Sequence, residues 1–172
     1  SEYNLTENDT VVGIAASGKT PFVLGAIKES KEKGALGIGV SCAEDSILAD
    51  ISDIAITPIV GPEVVTGSTR MKAGTAQKMV LNMISTTVMI KLGKVYSNLM
   101  VDLNPTNEKL RIRAQDIFTL ITNADNEIAK NYLEKTEYEV KEAVIMYEKD
   151  VSKKKAKKLL EENNGVLRSI IN

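Results

Sequence analysis

The glycines and prolines of this chain are crowded into one part of it: ten of the eleven glycines and three of the four prolines lie before residue 100, among short β-branched runs. Beyond that point come charged, leucine-spaced stretches in which glycine is almost absent. Glycine and proline punctuate short strands and tight turns, and their absence lets helices run on. The 172 residues therefore read as two units, 1–104 and 105–172.

In the first unit Asp9 to Ala15 is a short apolar run that ends in the turn-like Ala16-Ser17-Gly18-Lys19-Thr20. Pro21 opens an apolar-periodic stretch to about Lys33, a good place for proline because the first N–H groups of a helix have no partner anyway. Gly34 is the expected stop. Ala35 to Ser41 is a nearly all-apolar strand, as expected where both faces of a parallel sheet are covered. Asp45 to Ala49 reads as a helical turn, Ile54 to Pro58 as a third short strand, and Thr69 to Lys91 as a long helix. That helix carries few charges, which predicts burial in the domain or in a homodimer interface. Strand, helix, strand, turn, strand, helix is an α/β order, and right-handed crossovers make its strands parallel.

Open sheets of this kind have about five or six strands, so three predict the C-terminal half of a three-layer parallel sheet whose earlier strands lie elsewhere. The second unit predicts an all-α domain with helices over 106–121, 125–136, 139–147 and 152–162, after a break at Asn104-Pro105. Ser152 suits the N-cap of the helix carrying Lys153, Lys154, Lys155, Lys157 and Lys158. This lysine run has no aromatic interleaving and is followed by Glu161 and Glu162, so it reads as a solvated face.

Composition narrows the chemistry. Histidine is absent, which excludes Ser-His-Asp and Cys-His nucleophile systems, histidine-bound zinc and an imidazole proton shuttle, leaving carboxylates, lysine or tyrosine to move protons. The lone Cys42 excludes an intrachain disulfide and cysteine-held metal clusters. A net charge of -1 gives no electrostatic case for nucleic acid. The polar, acidic Ser1 to Thr10 stretch reads as neither signal nor transit peptide, and the longest uncharged run, Met79 to Ile90, is too short for a membrane helix. A cytoplasmic protein with no membrane partner is the expectation.

Two segments carry candidate site residues. In Gly13 to Pro21 a strand delivers a small-residue loop to a helix N-terminus, a natural seat for a phosphate dianion. Ser17 and Thr20 would add hydroxyls, Gly18 a tight turn and Lys19 charge; the spacing is neither a Walker loop nor a dinucleotide fingerprint. An ordinary turn capped by Ser17 reads the same residues equally well. The second segment, Gly61 to Lys72, puts Glu63, Thr66, Ser68, Thr69, Arg70 and Lys72 just before the long helix. It suits either a loop closing over a polyhydroxylated anion or a helix start capped by Ser68 or Thr69.

Taken together, the two segments resemble the sugar isomerase (SIS) family of phosphosugar-binding domains. The second serine, the glycine and the threonine of that family's S-x-S-G-x-T phosphate loop match Ser17, Gly18 and Thr20, while Ala15 replaces its first serine, so that contact is not carried over. Ile56 to Lys78, Gly93 to Asp102, Asn107 to Leu110 and Lys141 to Met146 further resemble the N-acetylmuramic acid 6-phosphate etherases, so the likeness covers nearly the whole chain.

That resemblance implies a carbon–oxygen lyase without metal or organic cofactor. It would cleave the lactyl ether of N-acetylmuramate 6-phosphate to N-acetylglucosamine 6-phosphate and D-lactate, one glutamate removing the C2 proton and a second assisting departure of lactate. It implies phosphate and substrate binding by Ser17, Gly18, Lys19, Thr20, Glu63, Ser68, Thr69, Arg70 and Lys72. It also places the two catalytic glutamates before the region that this chain matches. Nothing before Val11 resembles them, and Glu63 belongs to another motif, so the chain by itself is expected to hold the phosphosugar without turning it over. A non-catalytic SIS-domain sensor of sugar phosphate and a scaffold acting through the helical tail are the alternative readings.

Overall fold

The structure, a computed structural model, describes residues 4–172. The chain divides into two compact units, Ser1–Ile84 and Ser85–Asn172.

The first unit contains β1 (Thr10–Ile14), α1 (Pro21–Glu32), β2 (Leu36–Val40), α2 (Ile47–Ile51), β3 (Ile54–Ile56) and the first part of α3 (Lys72–Lys91). The three strands form a parallel sheet in the order β1-β2-β3, with Val12 beside Ile38 and Ile38 beside Ile54. This is the α/β order expected from the sequence, and the strands are parallel as the crossover rule requires. Helices α1 and α2 lie on one face. A Cβ on Gly13 would come within 2.9 Å of Val23 and Ile27, and one on Gly39 within 3.0 Å of Leu48, so glycine lets both helices approach the sheet closely. Ile27 and Leu48, both fully buried, form the centre of this layer with Ala15, and fully burying such a side chain contributes roughly 1.5 to 3 kcal/mol.

Strand alternation puts Val12, Ile14, Leu36, Ile38, Ile54 and Ile56 on the opposite face. Leu36 and Ile54 are exposed there, at 39% and 47%. Helix α3 is similarly bare. Only Ala73 and Val80 of its 20 residues are buried, and Met79, Leu81, Met83, Val88, Met89 and Ile90 are all exposed. The burial expected for this helix from its low charge is thus not achieved within the chain. It also starts three residues later than the expected Thr69, for a reason that lies in Glu63.

The second unit holds the end of α3, a hairpin of β4 (Val95–Tyr96) and β5 (Leu99–Met100), and helices α4 (Glu108–Thr122), α5 (Asn126–Lys135), α6 (Val140–Lys149), α7 (Lys153–Glu162) and α8 (Arg168–Ile171). Asn107, Asp125 and Ser152 cap α4, α5 and α7, each accepting a backbone N–H three residues on. The core is built on Ile117, Phe118, Leu133, Val140, Val144, Ile145 and Leu167. Phe118, fully buried, packs against Tyr132 and Tyr147 at centroid separations of 6.1 and 5.7 Å. Lys141 donates to the Gly165 carbonyl at 3.1 Å and lies 3.8 Å from Asp102, which also pairs with Lys94. Burial holds the Lys141 ammonium below the ordinary lysine range despite that carboxylate. Among the described residues no helix is long and apolar enough to cross a membrane.

Candidate functional site

Three loops leave the carboxyl ends of the parallel strands: residues 15–20 after β1, 41–46 after β2, and 57–71 after β3. In open parallel sheets this is the end at which ligands bind.

The first loop is fixed through its carbonyls. Ala15 O accepts from Gly18 N at 2.9 Å, Ala16 O from Cys42 N at 2.8 Å, and Gly18 O from Leu48 N at 3.0 Å. The N–H groups of Ser17, Lys19 and Thr20 have no acceptor among the described residues. Thr20 occupies the N-cap position of α1 without a side-chain capping bond, and Pro21 follows as the first helical residue. The cap on Ser17, one of the two readings of this segment, is therefore not formed. Ser17, Lys19 and Thr20 are exposed and Gly18 is buried. Gly18 has φ +63°, and a Cβ there would lie 2.3 Å from the Cβ of Ser46, so conformation and space both require glycine. The result is a strand-to-helix loop with carbonyls turned into the protein and free N–H groups and hydroxyls at its surface, beside the positive end of a helix of 12 residues.

The third loop is organised by Glu63. Its Oε2 accepts from Lys72 N and its Oε1 from Ala73 N, both at 3.1 Å, so this carboxylate caps α3 from nine residues away. Residues 68–71 precede the helix, and Ser68 N donates to Val65 O at 3.0 Å; neither Ser68 nor Thr69 is the N-cap. The N–H groups of Ala73 and Lys72, in that order, hold the Glu63 carboxyl below its ordinary range. Lys72 Nζ donates to Pro62 O at 2.9 Å, closing the same turn. Thr69 and Arg70 are exposed.

Cys42 joins the two. Its N–H donates to Ala16 O, and its Sγ lies 3.8 Å from Ala73 O at the start of α3. Burial, and then the negative charge of Glu63, push its thiol above the ordinary range, which disfavours the thiolate. Behind it, Ser41 and Ser46 form a buried hydroxyl pair at 2.9 Å. Sequence reasoning passed over both serines. The available signal was a serine placed just before the short helix at Ile47, since Ser46 accepts from Ala49 N at 3.1 Å.

The SIS domain family matches residues 3–87, a span that contains all three loops. N-acetylmuramic acid 6-phosphate etherase of Caldanaerobacter subterraneus subsp. tengcongensis is 58% identical over 98% of this chain and 55% of its own length.

The chain carries a SIS domain over residues 3–87.

Relatives of the same name from Clostridium beijerinckii and Lactobacillus johnsonii are 54% and 50% identical over 95% and 99% of the chain, and 54% and 57% of their own lengths. The chain thus spans about half the length of the curated relatives it matches. A solved structure from Clostridium difficile 630 described as a phosphosugar isomerase overlays 80% of the chain and 36% of its own, with 19% identity and a TM-score of 0.48. The SIS match ends within α3, so the helices from Glu108 onward lie outside it.

Proposed function

We propose that this SIS-domain chain is the phosphosugar-holding part of a bacterial carbon–oxygen lyase of peptidoglycan amino-sugar recycling. The reaction is cleavage of the lactyl ether of N-acetylmuramate 6-phosphate to N-acetylglucosamine 6-phosphate and D-lactate. The observation that carries this reading is the identity of 50 to 58% to etherases across nearly the whole chain. The loop geometry supports it: the phosphate would sit on the free N–H groups of Ser17, Lys19 and Thr20, with the Ser17 and Thr20 hydroxyls and the Lys19 ammonium as further donors. Ser68, Thr69, Arg70 and Lys72 would approach the sugar from the third loop, with residues 1–104 as the sugar-binding part and 105–172 as the helical part. Glu63 holds this loop in place. No metal or organic cofactor enters the scheme, and the proton-transferring glutamates would come from outside these 172 residues.

A second reading is a non-catalytic sensor of sugar phosphate: both oxygens of Glu63, the acidic residue among the candidate site residues, are taken by backbone N–H groups that keep it ionised, so in neither reading does it move a proton.

Assay of the full-length gene product and of the 172-residue chain for D-lactate release from N-acetylmuramate 6-phosphate separates the two readings. Release by the full-length protein alone is the expected result; no release by either supports the sensor. In either case Ser17→Ala should weaken hexose 6-phosphate binding by about 1 to 2 kcal/mol, the scale of a hydrogen bond to a charged group. Unchanged affinity in calorimetry would remove Ser17 from the site. The proposal includes a cytoplasmic homodimer formed through the exposed side of α3, with no nucleic acid or membrane partner. A monomer in light scattering at micromolar concentration would count against that dimer.

A further inference from the structure

We propose that the buried Ser41–Ser46 hydroxyl pair is the positioning element that gives the 15–20 loop its anion-holding shape. The inference rests on the reading of that loop as a phosphate seat and adds to it the residues that set its geometry. Ser41 and Ser46 are 1% and 0% exposed, so neither can touch a ligand from where it sits. Buried hydroxyls cost free energy unless they are hydrogen-bonded, and these two satisfy each other, Ser46 Oγ also accepting from Ala49 N. Alanine would fill nearly the same volume without that requirement.

What the pair adds is registry. Cys42, directly after Ser41, draws the Ala16 carbonyl inward, and Leu48, two residues after Ser46, draws in the Gly18 carbonyl. The Cβ atoms of both serines lie close under Gly18, where an added Cβ would be 2.3 Å from Ser46 and 3.3 Å from Ser41. The pair therefore locks together the two backbone donors that turn the loop's carbonyls away from its surface. A carbonyl left pointing outward would repel an anion, whereas successive free N–H groups attract it. The hydroxyl bond across loop 41–46, from the end of β2 to the start of α2, thus acts on the ligand through Gly18, with no contact of its own.

The test is calorimetric titration of the full-length protein with N-acetylglucosamine 6-phosphate and with inorganic phosphate, together with amide hydrogen exchange at Cys42 and Leu48. Ser46→Ala and Ser41→Ala should each weaken both ligands by about tenfold, the scale of one hydrogen bond, and speed exchange at both amides. Ser41→Ala leaves the cap on Ala49 N in place, so it remains informative if Ser46→Ala fails to fold. Ser30→Ala is the stability control: Ser30 is equally buried, and its hydroxyl donates to Ile27 O at 2.8 Å far from the loop, so it should lower stability and leave affinity alone. Wild-type affinity in both Ser41→Ala and Ser46→Ala, or an equal loss in Ser30→Ala, overturns the positioning role while the phosphate seat stands. If the unmutated protein binds neither ligand, the seat itself falls. Unchanged exchange at Cys42 and Leu48 would then overturn the loop-shaping role as well.

Discussion

The two units of this molecule spend their apolar residues differently. In the second, Phe118, Leu133, Val144, Ile145 and Leu167 are essentially buried and the helices enclose a continuous core. The first buries Ile27 and Leu48 behind one sheet face, while Leu36 and Ile54 on the other face, and Met79, Leu81 and Met83 of its part of α3, stay exposed. What the first unit does specify tightly is polar: three loop carbonyls tied to named N–H groups, a serine pair, and a carboxylate that starts a helix. The second unit is organised by packing and the first by the shape of its loops. Catalytic and binding loops on a scaffold show this pattern generally.

The largest expected effect tests the packed side. Phe118→Ala should cost about 3 to 5 kcal/mol, because it removes a fully buried ring and leaves a cavity beside Tyr132 and Tyr147. Four of the five tyrosines lie beyond residue 95, so the near-ultraviolet circular dichroism of a urea titration reports on this unit. A loss under about 1 kcal/mol would mean that the helical core repacks and is less specific than described. The matching substitution in the first unit, Ile27→Ala, should cost somewhat less, about 2 to 4 kcal/mol. The thiol reactivity of Cys42, the single cysteine, reads it out.

Next in size is Gly18→Ala. The added Cβ meets Ser46 at 2.3 Å on a residue with φ +63°, so a cost of about 1 to 3 kcal/mol is expected, with loss of hexose 6-phosphate binding. Retained affinity in calorimetry would show that the loop tolerates reshaping, against the contrast drawn between the units.

The smallest effect concerns an imperfection in the packed unit. Glu142 on α6 has a buried Oε2 without a hydrogen-bond partner among the described residues, and burial outweighs Lys153 and Lys157 in raising its carboxyl above the ordinary range. A raised folded-state value favours the protonated form. Its contribution to stability is present at acid pH, below the unfolded glutamate value, and is lost as pH rises through the folded value. Glu142→Gln should therefore add less than about 1 kcal/mol of stability at pH 7, given its partial exposure, seen as a higher thermal midpoint, and leave the midpoint unchanged near pH 4. A gain of equal size at both values would place the effect outside ionisation.

Most of the architecture was legible in the sequence because it is local. Gly34 and Pro21 bracket α1, Val12 to Ile14 and Leu36 to Val40 are apolar runs of strand length, and Asn107, Asp125 and Ser152 stand where N-caps belong. The candidate phosphate loop was equally visible, since a small-residue turn between strand and helix is a local pattern. What escaped depends on distance along the chain. The start of α3 moved from Thr69 to Lys72 because its cap comes from Glu63, outside the window in which a capping residue is sought. The β4–β5 hairpin has strands of two residues each, too short for alternation to register, with Ser97 at φ +53° making a turn that usually signals asparagine or glycine. The Ser41–Ser46 pair is a tertiary fact: its meaning depends on Gly18, which arrives from another loop.

The bareness of α3 also turns the helix into a recording surface. Met71, Met79, Met83 and Met89, spaced from just before its first turn to its last, are exposed at 64%, 51%, 57% and 47%. Thioether sulfurs oxidise to sulfoxides in proportion to their access to peroxide, each adding one oxygen to the mass of its peptide. Brief oxidation followed by mass spectrometry would therefore give a footprint along the helix, and whatever covers α3 in a larger assembly would appear as a run of protected methionines.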